Sequence, residues 1–249
     1  MKIKILTIFP EMFTGFLQTS IIKRALTNQL VDIEVINFRQ YSNDKSKRVD
    51  DYPYGGGAGM VLMCQPILDC LNDVRGDNSF VLLTSPEGVQ FNQSLAKEWS
   101  KKEEIVIICG HYEGYDGRIY DYVDQRVSVG DYVLTGGELP AMIIADAITR
   151  LLKDVISSNS TLEESFEDNL LEYKQYTRPE NYNGKKVPEV LLSGHHENIR
   201  RYRLKERLRE TYLHRPDLLA KHKFTDEEKK MLAEIKKEDQ NVIKNNVEY

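Results

Sequence analysis

Short apolar runs alternate with amphipathic stretches along the first 150 residues, and this alternation leaves few architectures open. Residues 2–9 (KIKILTIF), 31–38 (VDIEVINF), 79–84 (SFVLLT) and 104–109 (EIVIIC) read as strands. Between and after them, residues 12–28, 64–75, 92–102 and 139–153 read as helices. Phe13, Phe16, Leu17, Ile21 and Leu26 share one face of the first. Short apolar strands alternating with helices predict an α/β domain with a mostly parallel sheet.

The chain of 249 residues is long enough for one large core or two modest ones. Its formal charge of −5 argues against a protein that coats nucleic acid over its whole surface, but leaves room for a local basic face. The three cysteines, Cys64, Cys70 and Cys109, form no CxxC pair, and we read them as reduced residues of a cytoplasmic protein. Residues 1–9 are apolar but interrupted by Lys4 and followed by Pro10, which predicts a buried strand rather than a signal peptide. No run approaches the roughly 20 apolar residues of a membrane helix, so no membrane partner is expected.

Beyond residue 153 the composition shifts. Residues 154–168 (DVISSNSTLEESFED) are polar and serine-rich, as expected of a linker. Helical sequence dominates the rest. Residues 195–221 hold eight Lys/Arg against four Asp/Glu, a local +4 in an acidic chain. Arginine pairs with phosphates and stacks on bases, although a solvated amphipathic helix would carry the same charges.

Three strand ends lead into turns rich in glycine or proline: 84–88 (TSPEG), 109–114 (CGHYEG) and 130–140 (GDYVLTGGELP). In parallel sheets, ligands lie beyond the carboxyl ends of the strands. Glycine there lets backbone N–H and C=O groups approach a ligand edge with no Cβ in the way. A pocket for a nucleotide-like ligand follows. Neither G-x-G-x-x-G nor G-x-x-x-x-G-K-[ST] occurs, so a dinucleotide or triphosphate cradle is not expected. The five histidines show no metal spacing, and His195 and His196 read as surface or helix-start residues.

Taken in order, the motifs resemble one family. They are 8–13 (IFPEMF), 49–57 (VDDYPYGGG), 109–114, 130–141 (GDYVLTGGELPA), 175–180 (QYTRPE) and 190–195 (VLLSGH). This series is similar to that of the bacterial TrmD family of tRNA (guanine-N1)-methyltransferases, from residue 1 to about 235 and most weakly over 153–174. The resemblance implies a SPOUT-type α/β domain with a trefoil knot, plus a small helical C-terminal domain. It divides the chain into a domain at 1–156 that binds S-adenosylmethionine, a linker at 157–168 and a tRNA-binding domain at 169–249. It further implies a cytoplasmic homodimer that methylates N1 of guanosine 37, 3′ of the anticodon.

By position, the resemblance assigns the cofactor to Thr84, Ser85, Pro86, Gly110, Glu113, Val129, Gly130, Asp131, Tyr132, Val133, Leu134, Gly136 and Gly137. It assigns tRNA to Asp50, Gly59, Ser165 and Glu172, and the basic side chains of Arg200, Arg201 and Arg203 are candidates for tRNA phosphates. Lys45, Lys47 and Arg48 are further candidates for phosphates, and Arg118 reads as structural. Arg150 matches the family's catalytic arginine. The family's general base is an aspartate directly before Ser-Phe. Here Glu164 holds that place, one methylene longer, with Asp168 as a nearby alternative. The transfer itself requires no metal; Mg²⁺ comes from the family as a candidate ion. The altered 153–157 segment (KDVIS) motivates an alternative, an RNA-binding protein of the same fold whose catalysis is weak or lost.

Overall fold

A computed structural model describes residues 1–157 and 164–247, with side chains of 241–247 outside the description. Of the linker expected at 157–168, residues 158–163 lie outside the described residues. The chain divides into two compact units, Met1–Ser158 and Asn159–Tyr249.

In the first unit, β1 (Lys2–Thr7), β2 (Asp32–Asn37), the short β3 (Asp50–Asp51) and β4 (Val61–Leu62), β5 (Ser79–Gln90), β6 (Glu104–Ile108) and β7 (Gln125–Ser128) appear in chain order. Five of these form one sheet in the order β2-β1-β6-β5-β7, and every pairing in it is parallel. Side chains alternate across it. Ile3, Ile5, Ile105 and Ile107 pack on one face with Phe13, Trp99, Ile144 and Ile148. Leu6, Val106 and Ile108 pack on the other with Phe38, Ile67, Leu71 and Ile119. Both faces are buried, which accounts for the near-continuous apolar runs in the sequence.

The helices are α1 (Thr14–Gln18), α2 (Ser20–Thr27), α3 (Cys64–Val74), α4 (Gln93–Trp99) and α5 (Glu138–Thr149). The single helix expected over 12–28 is therefore three pieces: a 3-10 turn at Pro10–Phe13, then α1 and α2. Thr19 is extended, its hydroxyl donates back to Gly15 O, and Ser20 has φ of 53°. A β-branched residue with a competing side-chain hydrogen bond favours such a break. The helix expected over 139–153 ends at Thr149. The TSPEG segment is not a tight turn. Strand β5 continues through it to Gln90, and its pairing with β7 skips from Thr84 to Val89, both opposite Val127. Residues 85–88 are thus looped out of the ladder in the manner of an enlarged bulge. A Cβ on Gly88 would lie 2.2 Å from Val127 N, so only glycine permits this return.

The second unit holds an exposed hairpin (Asn181–Tyr182 and Lys185–Lys186), a long helix at His196–His214, a short one at Pro216–Leu219 and a terminal helix at Asp226–Val247. Leu170, Leu208, Met231 and Ile235 form its core. Arg207 is buried and forks onto Asp168 through bonds of 2.6 and 3.1 Å, which places residue 168 within this unit. Thr225 and Glu228 cap the terminal helix reciprocally, Thr225 N donating to Glu228 Oε2 and Glu228 N to Thr225 Oγ1. The sequence reading contained no hairpin here.

Candidate cofactor pocket and nucleic-acid contacts

The carboxyl ends of β5, β6 and β7 enclose a cavity of about 450 Å³. That lies in the usual range for a small-molecule site. Its walls are the looped-out 85–88 segment, the 110–115 loop after β6 and the 127–137 segment that leads into α5. Twelve of the thirteen residues expected around the cofactor line it. Asp131 does not. It is exposed, while Tyr132 on the next residue folds back, its hydroxyl donating to Val129 O at 3.3 Å.

Backbone approach, rather than side-chain bulk, holds the walls together. Gly137 N donates to Gly110 O at 2.8 Å, and Gly110 N donates to Thr84 Oγ1 at 3.4 Å. Thr84 Oγ1 in turn donates to Ile108 O at 3.1 Å. The buried Tyr115 hydroxyl donates to Ile108 O at 3.0 Å and Thr84 O at 3.3 Å. A Cβ on Gly137 would stand 2.2 Å from Thr84 Oγ1 and 2.7 Å from Gly110 N; one on Gly110 would meet the Tyr115 ring at 2.7 Å. Burial pushes the Tyr115 phenol and the Cys109 thiol well above their ordinary values, so both stay neutral. Neither is a nucleophile at neutral pH.

Beneath the pocket lies a contact that the sequence reading missed. Glu138, the first residue of α5, is 1% exposed. Its carboxylate accepts from Thr7 Oγ1 at 2.6 Å and lies 2.7–2.8 Å from His111 Nε2. One carboxylate thereby ties the end of β1, the 110–115 loop and the start of α5, where the helix dipole favours negative charge. The signal was a carboxylate inside an otherwise apolar helix start, GGELPA. His111 was weighed as a metal ligand and set aside; its partner is this carboxylate.

Glycine-rich residues 55–59 hang from the β3–β4 ribbon, and Glu113 N donates to Met60 O at 2.9 Å. Gly59 packs so closely on Glu113 that a Cβ would meet its side chain at 2.5 Å. Asp50, in the same ribbon, pairs with Leu62. Asp50, Gly59 and Glu113 are thus carried by one linked pair of loops. The basic residues nearby are engaged within the fold: Lys47 Nζ donates to Gln40 O and Ser42 O, Arg48 pairs with Asp44, and Arg118 pairs with Asp116.

In the second unit, Ser165 Oγ accepts from Glu172 N at 2.9 Å, so those two candidates meet. Arg200 is held by Glu197 and Glu227, Arg201 by Glu227, and Arg203 stacks on Tyr173 at 4.9 Å. His195 stands at the N-cap position of the 196–214 helix without a side-chain cap, and both it and His196 are exposed. Arg150 closes α5, and Glu164 opens the described part of the second unit. Among the described residues no group of three or more His, Cys, Asp or Glu is arranged to hold a metal ion, and no helix is long and apolar enough to cross a membrane.

An arrangement of backbone amides, carbonyls and neutral side chains around a preformed cavity can bind and orient a nucleoside-like molecule. Comparison with known proteins extends this picture. Residues 1–221 match the family described as tRNA (Guanine-1)-methyltransferase TrmD. Proteins named tRNA (guanine-N(1)-)-methyltransferase are similar over nearly their whole length. One from Lactobacillus johnsonii is 53% identical, covering 97% of this chain and 100% of its own. One from Syntrophomonas wolfei is 53% identical over 94% and 97%. One from Dictyoglomus turgidum is 51% identical over 96% and 98%.

Proposed function

Because this chain belongs to the TrmD family of tRNA (guanine-1)-methyltransferases, we propose that it methylates N1 of the guanosine 3′ of the anticodon, position 37, with S-adenosylmethionine as methyl donor. The observation that carries the reading is the glycine-stitched cavity at the ends of β5, β6 and β7. The cofactor fits it chemically. Gly110, Gly136 and Gly137 let the wall segments close on one another where a Cβ would collide with Tyr115, His111 and Thr84, and the walls so formed present backbone polar groups to an adenosyl edge. The trefoil knot belongs to this reading, supported by Gly137 lying against Thr84, Cys109 and Gly110. So do the homodimer and the cytoplasmic location.

Bound S-adenosylmethionine supplies an electrophilic methyl group on a sulfonium. Guanine N1 is protonated and a poor nucleophile until it loses that proton. We assign that step to Glu164, a carboxylate being the natural base for such a proton. Negative charge then spreads to O6, where the Arg150 guanidinium stabilises it. With the proton held on the Glu164 carboxyl, N1 would be free to take the methyl group, the sulfonium leaving as a neutral thioether. The pocket walls would hold and orient the donor, and positioning of this kind carries a large share of the rate.

Mass mapping of the methyl group on tRNA incubated with the protein and S-adenosylmethionine tests the reaction; a methyl on another atom rejects it. Glu164→Gln is expected to abolish transfer while cofactor binding persists. Full activity in that variant moves the base elsewhere, with Asp168, already committed to Arg207, the next to test.

A further inference from the structure

The densest basic stretch in the sequence, 195–221, is largely neutralised within the folded protein. Arg200 is held by Glu197 and Glu227, and Lys205 lies 3.0 Å from both Glu234 and Glu238. Arg209 pairs with Glu206 and Glu238, Arg207 with Asp168, and Arg215 with Asp217. Several of these carboxylates come from the terminal helix, whose acidic face the sequence reading did not set against the basic one. A cation already paired contributes little new charge to a polyanion, because the existing pair must first be given up.

The hairpin at 181–186 is different. Lys185 and Lys186 are exposed, and among the described residues neither has a carboxylate partner; the same holds for Arg178, just before the hairpin. The one acidic residue between them, Glu180, leaves a local excess of +2. Tyr182 is 67% exposed and pairs across the ladder with Lys185, so an aromatic ring and a cation share one face. The shape is fixed. Asn183 and Gly184 both have positive φ, as a two-residue hairpin turn of the primed type requires, and Gly184 N donates to Asn181 Oδ1 at 3.0 Å. A stiff, solvent-facing ribbon with unpaired lysines beside an exposed tyrosine suits a ribose–phosphate backbone with an unpaired base available for stacking.

We propose that this hairpin, rather than the 196–214 helix, supplies the principal unneutralised phosphate contacts of the second unit to tRNA. The proposal rests on the tRNA methyltransferase reading above.

Fluorescence anisotropy of the full-length protein with an unmodified tRNA transcript, over a range of KCl concentrations, tests it. Each phosphate contact contributes about 0.7–0.9 to the slope of log K against log salt. Lys185→Ala/Lys186→Ala is expected to flatten that slope by about 1.4–1.8, and Lys185→Arg/Lys186→Arg to restore it. Tyr182→Ala is expected to weaken binding several-fold with the slope unchanged. Lys205→Ala, a paired cation on the helix, is expected to leave the slope as it is. A wild-type slope in the double alanine variant, or a flattened one in Lys205→Ala, overturns the proposal. Wild-type protein that transfers methyl to tRNA while the double alanine variant binds identically refutes the hairpin contact alone. Wild-type protein that neither binds nor methylates tRNA removes the premise as well.

Discussion

Replacing Gly137 with alanine puts a methyl group where two backbone segments and a hydroxyl already stand. The added carbon would lie 2.2 Å from Thr84 Oγ1, 2.7 Å from Gly110 N and 2.8 Å from Cys109 Cα. To reach about 3.4 Å, the lower edge of ordinary contact, these neighbours must recede by about 0.6–1.2 Å. Thr84 is buried in β5, and Cys109 and Gly110 are backbone directly after the buried β6, so little of the strain can be relieved by a flexible side chain. Overpacking of this kind costs about 1–3 kcal/mol. Separating Gly137 N from Gly110 O, now 2.8 Å apart, adds about 1 kcal/mol for a hydrogen bond between buried groups. For a unit of this size each kcal/mol lowers Tm by roughly 2–4 °C. The same displacement moves two pocket walls, so cofactor affinity is expected to fall, and methyl transfer by about 10²-fold for a shift near 1 Å. Isothermal titration with S-adenosylmethionine and differential scanning calorimetry read both effects. Gly15→Ala serves as the comparison: its Cβ meets nothing within 4 Å and it lies in α1, so it is expected to be neutral or slightly stabilising. A Gly137→Ala protein with wild-type Tm and wild-type cofactor affinity would refute the close-packing argument.

Glu138→Gln keeps the shape of the buried carboxylate but gives its amide two protons to place beside Thr7 and His111. We expect a loss of about 1–3 kcal/mol in thermal or chemical denaturation, together with weaker cofactor binding; unchanged stability would mean that the clasp is not needed. At the amino end of the central strand β6, burial alone would push the Glu104 carboxyl up. Hydrogen bonds from Ser79, Lys4 and Gly76, with the Lys4 charge, instead bring it down to about 2. A carboxyl depressed in the folded state stabilises above its unfolded value near 4.5, and that contribution is lost as pH falls from about 4.5 toward 2. Acid titration of stability should therefore be flatter in Glu104→Gln across that window, and an identical acid limb would refute the assignment.

Much of the first unit was legible because its strands carry their message locally. A run such as EIVIIC has one sensible use in an α/β domain, and a glycine after it marks the ligand edge. What escaped the sequence reading were features decided by distant partners. The break at Thr19 depends on a hydroxyl turning back onto Gly15. The looping-out of 85–88 depends on β7 accepting Thr84 and Val89 opposite one residue. Glu138 could not be matched to Thr7, 131 positions away, from spacing alone. The same limit misdirected the search for cations in the second unit. Arg200 and Lys205 look available in a linear string, and only the folded helix pair reveals Glu227, Glu234 and Glu238 beside them.

Helix α5 begins at the Glu138 clasp and runs twelve residues, with Arg150 directly after its end. At 1.5 Å per residue that is a rod roughly 18 Å long. Pivoted at its start, it turns a tilt of about 3° into about 1 Å of travel at the guanidinium. Whatever steadies the Glu138 clasp therefore also fixes where that guanidinium stands, roughly 18 Å away along a single rod.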